Sequence, residues 1–598
     1  MSISIMESLT STRADAKFTT PKIKFGAGLS APSGFWESHL APFFDKHFLI
    51  LCLCFIGIAC ARIISTYDAL SLTVDEPIHL ACGLEYIANH VYRLEPSQPP
   101  LSRSFQSVGP FLAGARPVDL PKREDVAYAD IAQSGNVNRT IFLMRLGTLP
   151  FFLLACTVVC GWAWHAFGKA VAVVAVALYT LLPTVLADAG LATTDTALGA
   201  TVGAAFLAAI IWAEKPNWLW SILLGFFAGL ACLAKFTALG YLPVTVVLAL
   251  VVSLATRWPG WRGLVSLAKQ RAVMILLSAG VASLVIWAGY LFSVGSGRLP
   301  FTHLVVPIPA PELLDGIRAN VEHDHGGHGA YLLGQFRMTG WWYYFPVALA
   351  VKTPIAFMVF LLLGAYVCIV NRRVPTYLYP LVFILGILFL AMRVRIDIGI
   401  RHVEPIYIGL SVVAALGVAR LLEWCRTAVI SAITAGGLVA WMVISVAVYH
   451  PDYLTYFNGF AGKHPENILV DSNYDWGQDL RFLAKRLHEL HVSEFSLASS
   501  WEVKHDAYLE SWYGLPAIKR VSDSSPSSGW TVVSPTYDKA TRFTSNGLGM
   551  APPWYDHIAP TERVGALLLY YTPASTLPDP LSSPAAVQRD QGAIATPR

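Results

Sequence analysis

Eleven apolar stretches dominate this chain, at roughly 48–66, 141–163, 169–188, 195–213, 218–236, 240–255, 272–292, 346–370, 375–392, 403–421 and 428–448. Each is close to the roughly 20 residues that a helix needs to cross the hydrocarbon core of a bilayer. With no water there to satisfy backbone N–H and C=O groups, such segments have to be helices. Composition agrees: of 598 residues 55% are hydrophobic and only 14% charged, too apolar for a water-soluble globule. The expected fold is therefore an all-α polytopic membrane domain over residues 47–449, with the lipid bilayer as its first partner.

An odd number of spans puts the two termini on opposite sides. Short cytoplasmic loops collect Lys and Arg. With residues 1–46 as a polar cytoplasmic segment, those loops carry Lys169, Lys215, Arg257, Arg262, Lys269, Arg271, Arg372, Arg373 and Arg426. The first apolar run starts too late for a cleaved signal peptide and is read as an uncleaved span. The outer side then receives the segments 67–140 and 293–345 and everything beyond residue 450. From 450 to 580 the apolar runs shorten to strand length, as in ENILVDSN, EFSLASS, GWTVVSP and GALLLYY, and DLRFLAKRLHELHV is an amphipathic helix. A small α/β extramembrane domain is expected there, followed by a disordered tail at 581–598 rich in Pro, Ser and Ala.

A net charge of +4 is too small for a nucleic-acid footprint, so no nucleic-acid partner is expected. Nine cysteines show no CxxC or Cys/His zinc spacing and imply no disulfide framework.

The polar groups at span ends gather on the outer side of this topology. SLTVDEPIHLACGLEYIANHVYRLEPSQPPL follows the first span and brings Asp75, Glu76 and His79 within one helical turn. An acidic pair there can also be a plain helix start. Asp188 and Asp195 bracket the turn LADAGLATTDTAL, Lys235 ends the fifth span, and Lys352 lies just inside the eighth. Arg393, Arg395, Arg401 and His402 fill the turn before the tenth. Lys235 by itself is best explained as a snorkelling side chain. Carboxylates and cations from separate spans at one depth point instead to a functional site. Acids suit general-base work and cations suit a phosphate, so a lipid-phosphate donor and a hydroxyl-bearing acceptor fit this pattern.

The stretches DEPIHLACGLEYI with RLEPSQPPL, LATTDTAL, EHDHGGHGAYLLGQFRMTGWWYYFPVALAVKTP, DIGIRHVEPIY, and HPDYLTYFNGFAG with VDSNYDWGQDL occur in the order of a known family. Over about residues 70–490 the chain resembles the GT-C fold membrane glycosyltransferases, specifically bacterial relatives of the protein O-mannosyltransferases and lipid A aminoarabinose transferases. The resemblance implies inverting transfer of a sugar from a polyprenyl-phosphate-linked donor on the non-cytoplasmic face of the plasma (inner) membrane. It implies that Asp75 is the catalytic base, with Glu76 beside it, and that Asp195 is the second acid, arranging the acceptor or a metal. Lys352, Arg401 and His402 fall in the blocks lining the donor side. The family commonly has His or Lys before Pro-Pro-Leu, where this chain has Gln98, a neutral amide that can hydrogen-bond a phosphate or sugar but brings no charge.

Three further groups have two readings each. His323, Asp324, His325 and His328 could hold a divalent metal, or be hydrogen-bonding residues of a Gly-rich loop. Trp341 and Trp342 could stack on a sugar, or belong to the aromatic belt of the interface. Asp471, Asn473, Asp475 and Asp479 could contact the acceptor, or cap a helix. The alternative of another class is a transporter or flippase of an anionic lipid-linked substrate. That class carries ionisable residues near mid-membrane and repeated halves; here the span interiors are mostly uncharged and no repeat is visible.

Overall fold

The computed structural model describes residues 35–298, 305–424, 428–499, 505–520, 526–547, 552–556 and 558–573. Residues 1–34 of the polar N-terminal segment lie outside the described residues, as does the whole of the expected tail at 581–598. The chain divides into two compact units, Met1–Gln478 and Asp479–Arg598.

The first unit is a multi-pass membrane domain. Among the described residues, seven helices are long and apolar enough to span: Phe48–Thr66, Val137–Phe167, Asp195–Glu214, Ala238–Thr256, Gly260–Gly289, Ile406–Glu423 and Val429–Val448. Two more candidates are sharply bent pairs, Lys169–Tyr179 with Pro183–Ala189 at 70° and Tyr344–Lys352 with Ile355–Val370 at 116°. Trp218–Ala234 and Pro375–Ala391 are apolar but shorter. All eleven apolar stretches are thus helical, but two are broken and two fall short of the full span length. Both breaks come just before helices that begin at or next to a proline, Pro183 and Pro354. Proline offers no N–H to continue the ladder and drives the preceding residue out of helical geometry.

Burial separates the helices into inner and outer. Ile406–Glu423 is 89% buried and Asp195–Glu214 78%, whereas Phe48–Thr66 is 17% and Gly260–Gly289 6% buried. The outer helices keep apolar faces open, as lipid contact requires. Glycine permits the closest inner packing: a Cβ on Gly364 would lie 1.8 Å from the Val413 carbonyl oxygen, and one on Gly417 would lie 1.8 Å from that of Phe360. Small residues let membrane helices approach backbone to backbone. The two most buried spans begin at Asp195 and shortly after Arg401, so these charged residues lie at the ends of the unit's inner helices.

The segment after the first span folds into helices Glu76–Asn89, Pro100–Leu112 and Arg123–Ala132. The segment before helix Tyr344–Lys352 has hairpins Val294–Arg298/Val305–Pro309 and Ala330–Leu332/Gln335–Arg337 flanking helix Pro311–Gly326.

The second unit is a five-stranded mixed sheet in the spatial order Ala517–Arg520, Glu494–Ala498, Gly529–Val533, Leu567–Thr572, Glu562–Val564. The first three strands are parallel and the last two pairings antiparallel. Helix Leu480–Glu489 forms where the amphipathic pattern places it, burying Leu483, Ala484 and Leu487.

The ENILVDSN stretch is no strand. It forms 3-10 turns at Pro465–Asn467 and Asp471–Asn473, with Asp471 at φ +60°. Its polar groups bond outward instead of along a ladder. The Asn473 side chain accepts from Ile400 N–H at 2.9 Å and donates to Tyr344 Oη at 2.8 Å. Asn and Asp side chains offer the backbone such alternatives to a sheet.

Candidate active site

Four charged side chains from four separate parts of the first unit meet at the ends of its apolar helices. Asp195 opens the span Asp195–Glu214 and is fully buried. Its Oδ1 accepts from Lys235 Nζ at 2.5 Å, and its Oδ2 lies 3.5 Å from Arg401 Nη1. The same Nη1 donates to Asp75 Oδ2 at 3.0 Å. Lys235 caps helix Trp218–Ala234, Arg401 sits in the turn Ile400–Val403, and Asp75 precedes helix Glu76–Asn89. Because these groups touch, they share one side of the membrane. Two cations and two anions also offset one another, which lowers the cost of burying them.

Arg401 is held on three sides. Its Nε donates to Ser472 Oγ at 3.1 Å, and its guanidinium lies over the Trp476 ring at 4.0 Å. The other terminal nitrogen, Nη2, has no partner among the described residues. Asp75 is the open member of the group, its side chain 36% exposed against 8% for Arg401 and 0% for Asp195. Its Oδ1 has no partner among the described residues. A carboxylate with one free oxygen faces solvent beside a guanidinium with one free nitrogen. That arrangement can take a proton from one ligand atom and hold negative charge on another.

Glu76 stands apart from this opening although it is Asp75's neighbour. It is fully buried, and Arg145 grips it bidentately, Nε to Oε1 and Nη2 to Oε2, both at 2.8 Å. Ala192 N–H at 2.9 Å and Thr73 N–H at 2.8 Å also donate to it. Burial alone would push the carboxyl up; the Arg145 charge and these donors outweigh it and leave it below its ordinary range. Arg145 in turn donates to the carbonyls of Tyr67, Leu70 and Ser71. The pair ties the end of the first span to the second.

His79 is buried, and its Nδ1 accepts from Arg103 Nε at 2.9 Å. Arg103 also donates to the Glu95 carboxylate, the Glu95 carbonyl and Tyr92 Oη. Burial, then the nearby Arg103 and Arg401 charges, hold the imidazole well below its ordinary range. His402 is held low in the same way, by burial and then by Lys235 and Arg401.

The other expected residues lie as follows. Gln98 gives its backbone carbonyl to Tyr92 Oη at 2.6 Å, and its side-chain Oε1 is buried without a partner among the described residues. Lys352 is buried and spends its ammonium on the carbonyls of Leu454 and Asn473, both at 2.7 Å, 4.4 Å from the Phe457 ring centroid. Arg393 and Arg395 are exposed; the former covers Phe389, and neither joins Arg401. Trp341 is buried, its backbone N–H donating to Asp397 Oδ2 at 2.6 Å, while Trp342 is 68% exposed.

Among the described residues no group of three or more His, Cys, Asp and Glu is arranged to hold a metal. His323 and His328 stack with centroids 5.7 Å apart, and Asp324 accepts from the Arg395 N–H at 2.9 Å. At the charged group itself, Lys235 and Arg401 already occupy the places beside the Asp195 carboxylate, so the residues present do not fit a divalent cation there.

Residues 136–287 match the family model described as dolichyl-phosphate-mannose-protein mannosyltransferase. That is a glycosyltransferase family. No curated protein matches the chain in sequence. Among solved structures, the chain is similar to ArnT from Cupriavidus metallidurans bound to undecaprenyl phosphate, at 12% identity and TM-score 0.48, over 86% of this chain and 97% of that one. It is also similar to the Archaeoglobus fulgidus oligosaccharyltransferase tethered with an acceptor peptide, at 12% identity and TM-score 0.42, over 80% of this chain and 64% of that one. The mannosyltransferase match covers Arg145, Asp195 and Lys235 and stops short of Arg401.

Sequence reasoning missed Arg103 and Arg145; it placed Lys235 among the converging charges but gave it no role of its own. A signal for Arg145 was present. An arginine inside an apolar span needs a partner, although the sequence does not say which acid supplies it.

Proposed function

We propose that the protein is an integral membrane glycosyltransferase that moves a hexosyl or pentosyl group from a polyprenyl-phosphate donor to a hydroxyl on a protein, lipid or glycan acceptor, with inversion. The observation that carries this reading is the pairing of half-exposed Asp75 with Arg401 over the buried Asp195–Lys235 pair. The family match over residues 136–287 supports it, because the matched family is named for a polyprenyl-phosphate sugar donor.

In the proposed reaction an Asp75 carboxylate oxygen takes the acceptor hydroxyl proton as the acceptor oxygen attacks the anomeric carbon. The bond from that carbon to the phosphate oxygen breaks, and the polyprenyl phosphate leaves with the electron pair. Arg401 holds the departing phosphate through Nη2, a charge-assisted hydrogen bond that strengthens as charge develops. Asp195 and Lys235 keep Arg401 in place. Lys352 braces the Leu454 and Asn473 backbone behind it, and Glu76 anchors the first loop through Arg145. The proposed side is non-cytoplasmic in the cell inner (plasma) membrane, with the N-terminus cytoplasmic, a placement supported by the Lys and Arg of the short loops.

The direct test supplies membranes containing the protein with polyprenyl-phosphate sugars extracted from the native membrane and follows free polyprenyl phosphate by mass spectrometry. Release with the parent protein and its loss with Asp75→Asn is the expected result. Equal release from both would remove Asp75 from the chemistry, and no release from the parent would remove the activity.

A further inference from the structure

Among the described residues His79 is hydrogen-bonded at one ring nitrogen only, Nδ1. Arg103 Nε has nothing but hydrogen to offer, so the His79 Nδ1 that accepts from it at 2.9 Å carries no proton. The ring is therefore neutral and its hydrogen sits on Nε2. Arg103 is itself fixed by Glu95 and Tyr92, so this tautomer is held by a buried network. Nε2 makes no hydrogen bond to any described residue. His79 follows Asp75 by one helical turn, its backbone N–H donating to the Asp75 carbonyl at 3.2 Å. It also feels the charges of Arg401, Asp195 and Lys235.

We propose that His79 Nε2–H is a fixed, neutral hydrogen-bond donor to a phosphate oxygen of the lipid-linked donor, oriented by Arg103; this rests on the glycosyl-transfer reading. Arg103 touches the ring, and the charges of Arg401 and Lys235 act on it together with the opposing charge of Asp195; an anionic oxygen suits this largely positive surrounding. A neutral donor adds a directional bond there without adding a third cation beside Asp195. His79 would bind and Arg103 would position it; neither removes a proton.

Two substitutions separate this from a purely structural role. In His79→Asn the amide lies near the Nδ1 position and can still accept from Arg103, but the distal donor is gone. In His79→Gln the amide reaches the Nε2 position and restores a donor, while the acceptor for Arg103 is lost. The probe is undecaprenyl phosphate, titrated into the full-length protein in nanodiscs, with thermal unfolding recorded alongside. A lost hydrogen bond to a charged group weakens binding by about tenfold or more. The expected result is that loss for His79→Asn and less than about threefold for His79→Gln. If His79→Gln binds as weakly as His79→Asn or worse, or if both bind like the parent, the proposal is wrong while the glycosyl-transfer reading stands. A parent protein that does not bind undecaprenyl phosphate overturns both.

Discussion

Arg401 lies 3.0 Å from Asp75, across 326 residues of sequence, and the same guanidinium nitrogen reaches the fully buried Asp195. The cation thus joins an exposed acid to a sealed one, and each acid answers to it differently. Asp195 is sealed beside Arg401 and Lys235, whereas Asp75 keeps one oxygen without a partner among the described residues.

Arg401→Lys keeps the charge and loses the planar fork that serves Asp75, Asp195 and Ser472 together and, in the proposed reaction, a phosphate. Undecaprenyl phosphate affinity is expected to fall about tenfold, and further in Arg401→Ala, with turnover falling in parallel. Titration of the purified protein checks this, and unchanged affinity in the alanine variant would remove phosphate binding from this turn.

Glu76 is expected to behave unlike its neighbour. Glu76→Ala leaves Arg145 buried without its counter-charge, a loss of about 3–5 kcal/mol. Folded protein recovered from membranes should drop sharply, as should that of Arg145→Ala. Asp75→Asn, altering a half-exposed side chain, should be recovered at the parent level. Size-exclusion profiles of the detergent-extracted variants give the comparison, and normal recovery of Glu76→Ala would contradict the anchoring role.

Asp397 supplies a pH test. Burial raises its carboxyl to about 7, against the lowering effect of the Trp341 N–H, and Oδ1 has no partner among the described residues. The folded state therefore holds this proton more tightly than the unfolded chain, whose carboxyl titrates near 3.9. Its contribution to stability is greatest below about pH 4 and is lost as pH rises through about 7. Asp397→Asn cannot titrate, so the thermal midpoint of the variant should gain on the parent between pH 4 and 7. A difference that stays constant over that range would mean that Asp397 titrates normally.

Much of this was legible in the residues because membrane helices announce themselves by length and apolarity. The eleven stretches are all helical, and Asp75, Asp195 and Arg401 were visible as charged residues at span ends. Pairing was not legible. Nothing local says that Glu76 turns inward to Arg145 while Asp75 faces out, since both lie at one helix start and only the packed second span distinguishes them. Arg393 and Arg395 were grouped with Arg401 as phosphate ligands, with Arg401 the most direct, because the sequence does not say which of the three turns inward. ENILVDSN reads as a strand by its apolar residues, yet Asn473 and Asp471 find side-chain and backbone partners that a ladder cannot offer.

Topology has a test of its own. A periplasmic reporter fused at residue 460 should be active and a cytoplasmic one silent, given the Lys and Arg of the short loops. The reverse pattern would put the charged group in the cytoplasm, away from any externally presented lipid-linked sugar.

The most direct measurement of the central claim is mass spectrometry of surface glycans and glycoproteins from a strain lacking this protein, against its parent and against strains restored with the wild-type chain or with Asp75→Asn. Base catalysis contributes about 10²-fold or more, so Asp75→Asn should leave the modification nearly absent. The account predicts one sugar modification lost on deletion, restored by the wild-type chain and not by Asp75→Asn. Identical glycans in all four strains would contradict it.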